Sequence, residues 1–394
     1  MNNGVKITEI NPICLRYSYE TPIMDGCNTC GRREAFLIRI KTDCGLEGIG
    51  EAATFGLPLT AFQTVANEMA APLLIGQDPL RTEYLWERLQ WCSWAGGRKG
   101  LVRGVASAVD IALWDIMGKA CGMPVYKILG ANLDKVNAYA SAGFYAEDKN
   151  QDALKREFEG YLKRGYKAFK MKAGRTRECS RHILRYMPNQ QGMLTRHQDE
   201  ERVRTVRSVI GMEAPLMLDM NNTWGYEETL RSAEFLREMK IYAVEEPVCG
   251  TNVQGYQRLV QTLDPVLRAG GENEQGLERY KQLLDEDMLD LVQANLGWTG
   301  GITEGKRIAA LSLAAGKLFA PHTFFSVVLT AANVQLSASL PNVPFIESEE
   351  NPNPLRENLL KIPFERDQDM AYLLTDSPGL GIELDWNTVE KYHI

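Results

Sequence analysis

Polar residues recur at the ends of apolar runs in this chain at nearly constant intervals. Asp219 follows Pro215-Leu216-Met217-Leu218, Glu245 follows Ile241-Tyr242-Ala243-Val244, and Glu272 follows Val266-Leu267-Arg268-Ala269-Gly270-Gly271. Asn295, His322 and Glu347 continue the series, and the successive intervals are 26, 27, 23, 27 and 25 residues. One strand, one helix and two short connections take roughly 25 residues, so each interval is one βα unit. Side chains at the C-terminal ends of successive parallel strands converge on one end of a (β/α)8 barrel, where that fold carries its chemistry. Three carboxylates converging there repel one another unless a cation neutralises them. The spacing predicts a barrel with a divalent metal site.

A barrel takes about 250 residues, so a chain of 394 has room for a second domain. The first part reads as α+β. Val5 to Ile10 alternates, and Ala35 to Lys41 with Leu46 to Glu51 forms a hairpin about Thr42-Asp43-Cys44-Gly45. Three helices follow near 62–74, 79–90 and 101–121, the last with Val105, Val109, Ala112, Leu113 and Ile116 on one face. The polar stretch Thr21 to Arg33 reads as a loop.

From about residue 135 strands and helices alternate. Val136 to Ala140 is the expected first barrel strand, followed by a helix with Leu154, Phe158, Tyr161 and Leu162 on one face that stops at Gly165. Ala168 to Lys172 is the second strand. The 175–198 stretch exceeds what one unit needs, holds His182 and His197, and is expected as a lid or an oligomer contact. After Glu347 a Pro- and Asn-rich segment leads to a strand near Met370 to Leu374. The expected division is an α+β domain over 1–132, the barrel over 133–350, and a C-terminal segment, 351–394, that returns to the first domain.

The net charge of -7, with no basic block, argues against a nucleic-acid partner. No apolar run is long enough to span a membrane, and the N-terminus has no signal-peptide core, so a cytoplasmic location is expected. The eight cysteines are scattered, which suits free thiols, and Cys27-Asn28-Thr29-Cys30 reads as two thiols in a loop. Gly48-Ile49-Gly50-Glu51-Ala52-Ala53 imitates a dinucleotide fingerprint but ends a hairpin, so a close backbone turn is the better reading.

Carboxylate oxygens on three rigid strands suit Mg²⁺, whereas Zn²⁺ favours His or Cys. Lys170 and Lys172 form a KxK pair whose side chains share one face of their strand. Two neighbouring ammonium groups, and a metal beside them, are expected to lower each other's pKa and leave a lysine able to act as a base. His322, on the expected seventh strand, could face Lys172 across a bound substrate. Glu347, on the expected eighth, could bond substrate or metal-bound water.

These residues resemble the enolase superfamily, mandelate racemase subgroup. The resemblance runs over nearly the whole chain: Ala112-Leu113-Trp114-Asp115-Ile116-Met117-Gly118-Lys119, Lys170-x-Lys172, Leu218-Asp219-x-Asn221, Glu245-Glu246-Pro247, Gly271-Glu272-Asn273, Gly300-Gly301-Ile302-Thr303, His322 and Pro378-Gly379-Leu380-Gly381. It implies an α+β capping domain, completed by the C-terminal tail, on a modified (β/α)7β barrel of TIM type. It implies Mg²⁺ held by Asp219, Glu245 and Glu272, and removal of a proton α to a carboxylate to give a metal-stabilised enediolate. Asn221, Asn295, Glu347 and Thr54 are expected to face the substrate, with Thr21 to Arg33 and Thr54-Phe55 as selecting loops. The chain is expected to form a homo-oligomer.

One position departs from the subgroup. An Asp usually closes strand six and pairs with the seventh-strand His; here the residue is Asn295. Asn can accept a hydrogen bond and orient the ring but cannot stabilise an imidazolium by charge. His322 is therefore expected to be a weaker base and to serve as an acid. Racemisation needs a base on each face of the α-carbon, whereas loss of a β-hydroxyl needs one base and one acid. The expected activity is a sugar-acid dehydratase with Lys172 as base, giving a 2-keto-3-deoxy acid. An epimerase or cycloisomerase of the same superfamily, and a catalytically decayed binding protein, are the alternatives.

Overall fold

The computed structural model of the chain describes residues 4–147, 149–179 and 192–394. Its N-terminal domain carries an antiparallel sheet of β1 (Ile7–Met24), β2 (Thr29–Thr42) and β3 (Glu47–Ala52), in that order. The β2–β3 hairpin turns where expected, with Thr42 N–H donating to Leu46 O at 3.0 Å. The stretch Thr21 to Arg33 is not a loop. It belongs mostly to a second, long hairpin whose turn is only residues 25–28. Its sequence hides the strands because the outer half of β1 is largely exposed and lacks an apolar alternation. Cross-strand polar pairs take the place of burial: Arg16 Nε donates to Glu34 at 2.8 Å, and Arg33 Nε to Tyr19 Oη at 2.8 Å.

Helices Leu59–Val65, Thr82–Gln90 and Gly100–Cys121 pack on this sheet. Val105, Val109, Ala112, Leu113 and Ile116 are all buried against Phe36, Ile38 and Ile40 of β2. The Gly48/Gly50 pair lets β3 lie directly on the longest helix. A Cβ at Gly48 would stand 2.1 Å from Ala112 O, and one at Gly50 2.0 Å from Ala108 O. Close backbone approach accounts for the glycine motif.

The barrel expectation is met. Eight parallel strands follow β4 (Lys135–Val136): β5 (Ala138–Ala142), β6 (Phe169–Lys172), β7 (Leu216–Asp219), β8 (Ala243–Glu245), β9 (Leu267–Gly270), β10 (Leu291–Val292), β11 (Leu318–Phe319) and β12 (Ile346–Glu349). Consecutive strands from β5 to β11 are neighbours, and β12 returns beside β5, so the sheet curls on itself. The first barrel strand thus begins at Ala138; Lys135–Val136 pairs antiparallel with β13 (Tyr372–Leu373) from the tail. Alternation sorts the side chains. Tyr139, Met217, Ala243 and Ala269 share a small cluster with Leu291, Ala320 and Phe345, while Met171, Leu218 and Val244 belong to the larger core that includes helix residues.

Helix Gln151–Arg164 buries Leu154, Phe158 and Tyr161, but Leu162 lies off that face and is exposed. Of the 175–198 stretch, residues 180–191, including His182, lie outside the described residues; His197 is on the surface near Glu201. Three buried carboxylates of the N-terminal domain reach the rest of the chain. Glu51 accepts from Ser326 N and Leu329 N at 2.9 and 2.8 Å and from Ser326 Oγ at 2.6 Å, at the start of helix Val327–Ser337. Asp110 accepts from Thr303 N and Oγ1 at 2.9 and 2.6 Å. Asp115 accepts from Leu380 N at 2.8 Å, and Ile394 N donates to Cys14 O at 3.1 Å, so the tail packs back onto the N-terminal domain. Among the described residues no helix is long and apolar enough to cross a membrane.

Candidate active site

Strand register places Lys172, Asp219 and Glu245 side by side at the C-terminal ends of β6, β7 and β8. Lys170 lies one inward position deeper on β6. Its Nζ is 2.7 Å from Glu245 Oε2 and 2.8 Å from Glu347 Oε1, while Lys172 Nζ pairs with Asp219. Lys170 does lower the pKa of Lys172, as expected from sequence, but the carboxylates around the pair set the opposite net sign. Burial and the neighbouring lysine oppose the charge on Lys172, but Asp219, Asp25 and Glu245 together outweigh them and raise its pKa. Burial likewise opposes the charge on Lys170, and Glu245 and Glu347 raise it well above the usual lysine range. Anionic strand ends set the sign; only engagement of those carboxylates elsewhere would release the lysines.

His322 is buried at the end of β11. Its Nδ1 is 2.8 Å from Asn295 Nδ2, and its Nε2 is 3.0 Å from Glu272 Oε2 and 3.7 Å from Glu347 Oε2. Burial lowers the ring's proton affinity, but Glu272 and Glu347 outweigh burial and raise it. The weaker base expected from Asn295 alone is therefore offset by acids the sequence could not place. Two near-parallel rings flank the imidazole: Phe55 at 6.2 Å and 18°, and Phe324 at 6.2 Å and 22°. Phe324 also lies 6.0 Å from Lys172 Nζ, and the Arg33 guanidinium sits 3.7 Å over its ring. Arg33 is in turn bound to Glu349 at 2.9 Å, at the end of β12.

The donor chemistry fits a hard cation. Glu245 is pushed up to about 8 by burial and by Asp219 beside it, the repulsion a cation would relieve. Its Oε1 is buried with no hydrogen-bond partner among the described residues, although Oε2 accepts from Gln293 Nε2 at 2.8 Å. As the side chains stand, no three His, Cys, Asp or Glu among the described residues are gathered closely enough to hold an ion. The lysines take up Asp219 and Glu245, so binding requires those carboxylates to turn from them. Asp219, Glu245 and Glu272 are the strand-end carboxylates that could then hold a cation.

The remaining expected positions divide. Glu347 is in the cluster, accepting from Thr323 N at 2.9 Å and pairing with Lys170. Asn295 is wholly buried, and its amide is engaged by Gly297 and His322. Asn221 donates through its backbone to Asp219 Oδ1 at 2.9 Å and accepts the Gly26 N–H at 3.1 Å, linking the β1–β2 turn to a candidate metal ligand. Buried Arg175 holds the same turn, donating to Asp25 O and Asn28 O at 3.1 and 3.2 Å. Thr54 is buried, with its carbonyl accepting from Leu57 N at 2.8 Å. Cys27 and Cys30 are free thiols at this turn, both pushed up by burial, Cys30 to about 11.

Sequence reasoning missed Gln293, Arg33, Phe324 and Phe144, whose ring lies 5.1 Å from Lys172 Nζ. Gln293 stands two residues before Asn295 and Phe324 two after His322. Gln293 directly follows β10, where the period-2 rule that selected Lys170 and Lys172 still marks it, but Phe324 lies past the end of β11, where that rule gives no signal. Arg33 was hidden by the reading of its strand as a loop. Positive backbone φ at Phe55 (44°), Asn221 (45°), Asn222 (60°) and Glu246 (47°) is concentrated here. Non-glycine residues held there signal strain, which clusters at functional sites.

Residues 153–388 match the enolase C-terminal domain-like family, and residues 9–130 match the mandelate racemase / muconate lactonizing enzyme N-terminal domain. The chain belongs to the mandelate racemase subgroup of the enolase superfamily. Among its enolase-superfamily relatives, an arabinonate dehydratase of Saccharolobus solfataricus is 31% identical, over 91% of this chain and 90% of the relative. The L-talarate/galactarate dehydratase of Salmonella typhimurium, solved with Mg and L-lyxarohydroxamate, is 25% identical with a TM-score of 0.85, over 100% of this chain and 94% of that one. The 3,6-anhydro-D-galactonate cycloisomerase of Zobellia galactanivorans is 28% identical with a TM-score of 0.85, over 99% of both chains.

Proposed function

We propose that this enolase-superfamily protein is an Mg²⁺-dependent sugar-acid dehydratase. The observation that carries the reading is the pairing of Lys172 on β6 with an Asn-bound His322 on β11, both beside Phe324 and both at the strand ends that carry the acids. The names of the arabinonate and L-talarate/galactarate dehydratases support it. Bound by Asp219, Glu245 and Glu272, Mg²⁺ would supply positive charge to offset the negative charge that develops as the α-proton leaves.

Once Lys172 has left its ion pair with Asp219 and lost its ammonium proton to solvent, its lone pair accepts the α-proton. The electron pair of the Cα–H bond becomes the Cα–Cβ double bond as the Cβ–O bond breaks. The departing hydroxyl takes a proton from His322 Nε2 and leaves as water; the enol then tautomerises to a 2-keto-3-deoxy acid. Lys172 returns its proton to solvent and His322 regains one, so the two groups end as they began. Lys170 keeps its pair with Glu347 and holds that acid in place after Glu245 has turned toward the cation.

The test is a panel of aldonates and aldarates with Mg²⁺ in D2O, assaying keto product and deuterium uptake together. No keto product from any member would refute the dehydratase reading. The cycloisomerase relative motivates the second reading, whose signature is deuterium at the α-position or ring opening without loss of water.

A further inference from the structure

Asn295 is the N-cap of the short helix Leu296–Thr299, and its Oδ1 accepts the Gly297 N–H at 2.9 Å. Gly297 is pressed against the N-terminal domain, where a Cβ would stand 2.7 Å from Ala53 N, so this helix start has no freedom to shift. A backbone N–H only donates, so an oxygen must sit opposite it. Turning the amide over would set NH2 against N–H and leave a buried helix-start donor unpaired. The amide nitrogen is therefore the atom 2.8 Å from His322 Nδ1. That nitrogen also only donates. Nδ1 must offer its lone pair, which leaves the ring's proton on Nε2.

On the other side of the ring Glu347 Oε2 lies 3.7 Å from Nε2, and a carboxylate only accepts, so it too faces a hydrogen there.

We propose that Asn295 is a positioning residue that fixes His322 as the Nε2–H tautomer, so that the ring presents a hydrogen, and not a lone pair, to the substrate. The consequence for catalysis rests on the dehydratase reading above. A ring in this state cannot abstract a proton from the second face of the α-carbon. It can donate to a departing hydroxide, which with a conjugate acid of pKa about 15.7 is a strong enough base to take the proton. The amide N–H on Nδ1 then supports the charge left on the ring, where a carboxylate would repel it. One atom at position 295, nitrogen or oxygen, selects between proton donation and proton abstraction from this face.

Asn295→Asp tests this, because Asp is as good an N-cap as Asn and keeps the Gly297 bond with one oxygen. Its other oxygen can only accept and so calls for Nδ1–H. Long-range ¹H–¹⁵N correlation spectra of the Mg²⁺-loaded, ¹⁵N-histidine-labelled enzyme read the tautomer directly, with His322→Gln assigning the signal. The expected result is an unprotonated Nδ1 in the wild type and a switch to Nδ1–H in Asn295→Asp. A protonated Nδ1 in the wild type at pH 8, or an unchanged tautomer in the variant, overturns the proposal. On a sugar acid that the wild type dehydrates, Asn295→Asp should lose at least tenfold in water elimination and gain α-epimer carrying solvent deuterium. Unchanged elimination without epimer also overturns it. A wild type that dehydrates no sugar acid refutes the dehydratase reading instead, and the spectra still decide the tautomer.

Discussion

The seam between the N-terminal domain and the barrel should weaken as pH rises from 6 to 8, and two buried carboxyls should account for it. Burial pushes Glu51 up to about 7 from 4.5 and Asp110 up to about 7 from 3.8, against the hydrogen bonds that favour their ionised forms. Both values lie above those of the unfolded chain, so folding favours the protonated forms. Their stabilisation is complete below the unfolded pKa values and is lost as pH climbs through about 7. Between pH 6 and pH 8 the penalty for the buried charge grows by about 1.4 kcal/mol for each group, about 3 kcal/mol together. Glu51→Gln and Asp110→Asn remove the titration while keeping shape. Urea unfolding of the wild type, each variant and the pair, at pH 6 and pH 8, separates this effect from every other titrating group. The wild type should lose about 1.4 kcal/mol more than either variant, and about 3 more than the double variant, over that interval. Equal pH slopes in wild type and double variant would show that neither carboxyl titrates at the seam.

Lys172→Ala should lower α-deuterium exchange by about 10²–10⁴-fold, the usual contribution of a positioned base, while a sugar acid still shifts the thermal midpoint; wild-type exchange in this variant would reassign the base. Mg²⁺ should raise the melting temperature of the wild type but not of Glu245→Gln, as checked by thermal scans with and without EDTA; an equal shift in both would remove Glu245 from the metal set. Phe55→Leu removes one of the rings that flank His322. An aromatic pair contributes about 0.5–1.5 kcal/mol, so kcat should fall by about two- to tenfold with little change in KM. Phe55→Tyr should restore it, and failure of that rescue would mean the ring has no orienting role.

The strand-end residues were legible because two periodicities coincide in one stretch of chain. A strand repeats every two residues and a βα unit about every 25, so Asp219, Glu245, Glu272, Asn295, His322 and Glu347 stand out before any folding is considered. The same rule reaches Gln293, two residues before a recognised rung, but not Phe324, which lies past the end of its strand. The β1–β2 hairpin was not legible, because its outer half lies on the surface, where no apolar alternation is required. With it went Arg33, whose partners Glu349 and Phe324 are some 300 residues away in the chain.

What the sequence alone determined is the inventory: a barrel, three carboxylates, a KxK pair, a histidine, and Asn where the subgroup usually has Asp. These follow from spacing and side-chain chemistry, which are local properties of the chain. Tertiary structure decided how the inventory is wired. Carboxylates from neighbouring strands raise the lysines that sequence reasoning expected to be lowered, since Coulomb interactions depend on distances that sequence separation does not give. Asn295 shows the difference most sharply. Its identity says that a charge is missing; only the fixed helix start at Gly297 says which end of the amide meets His322.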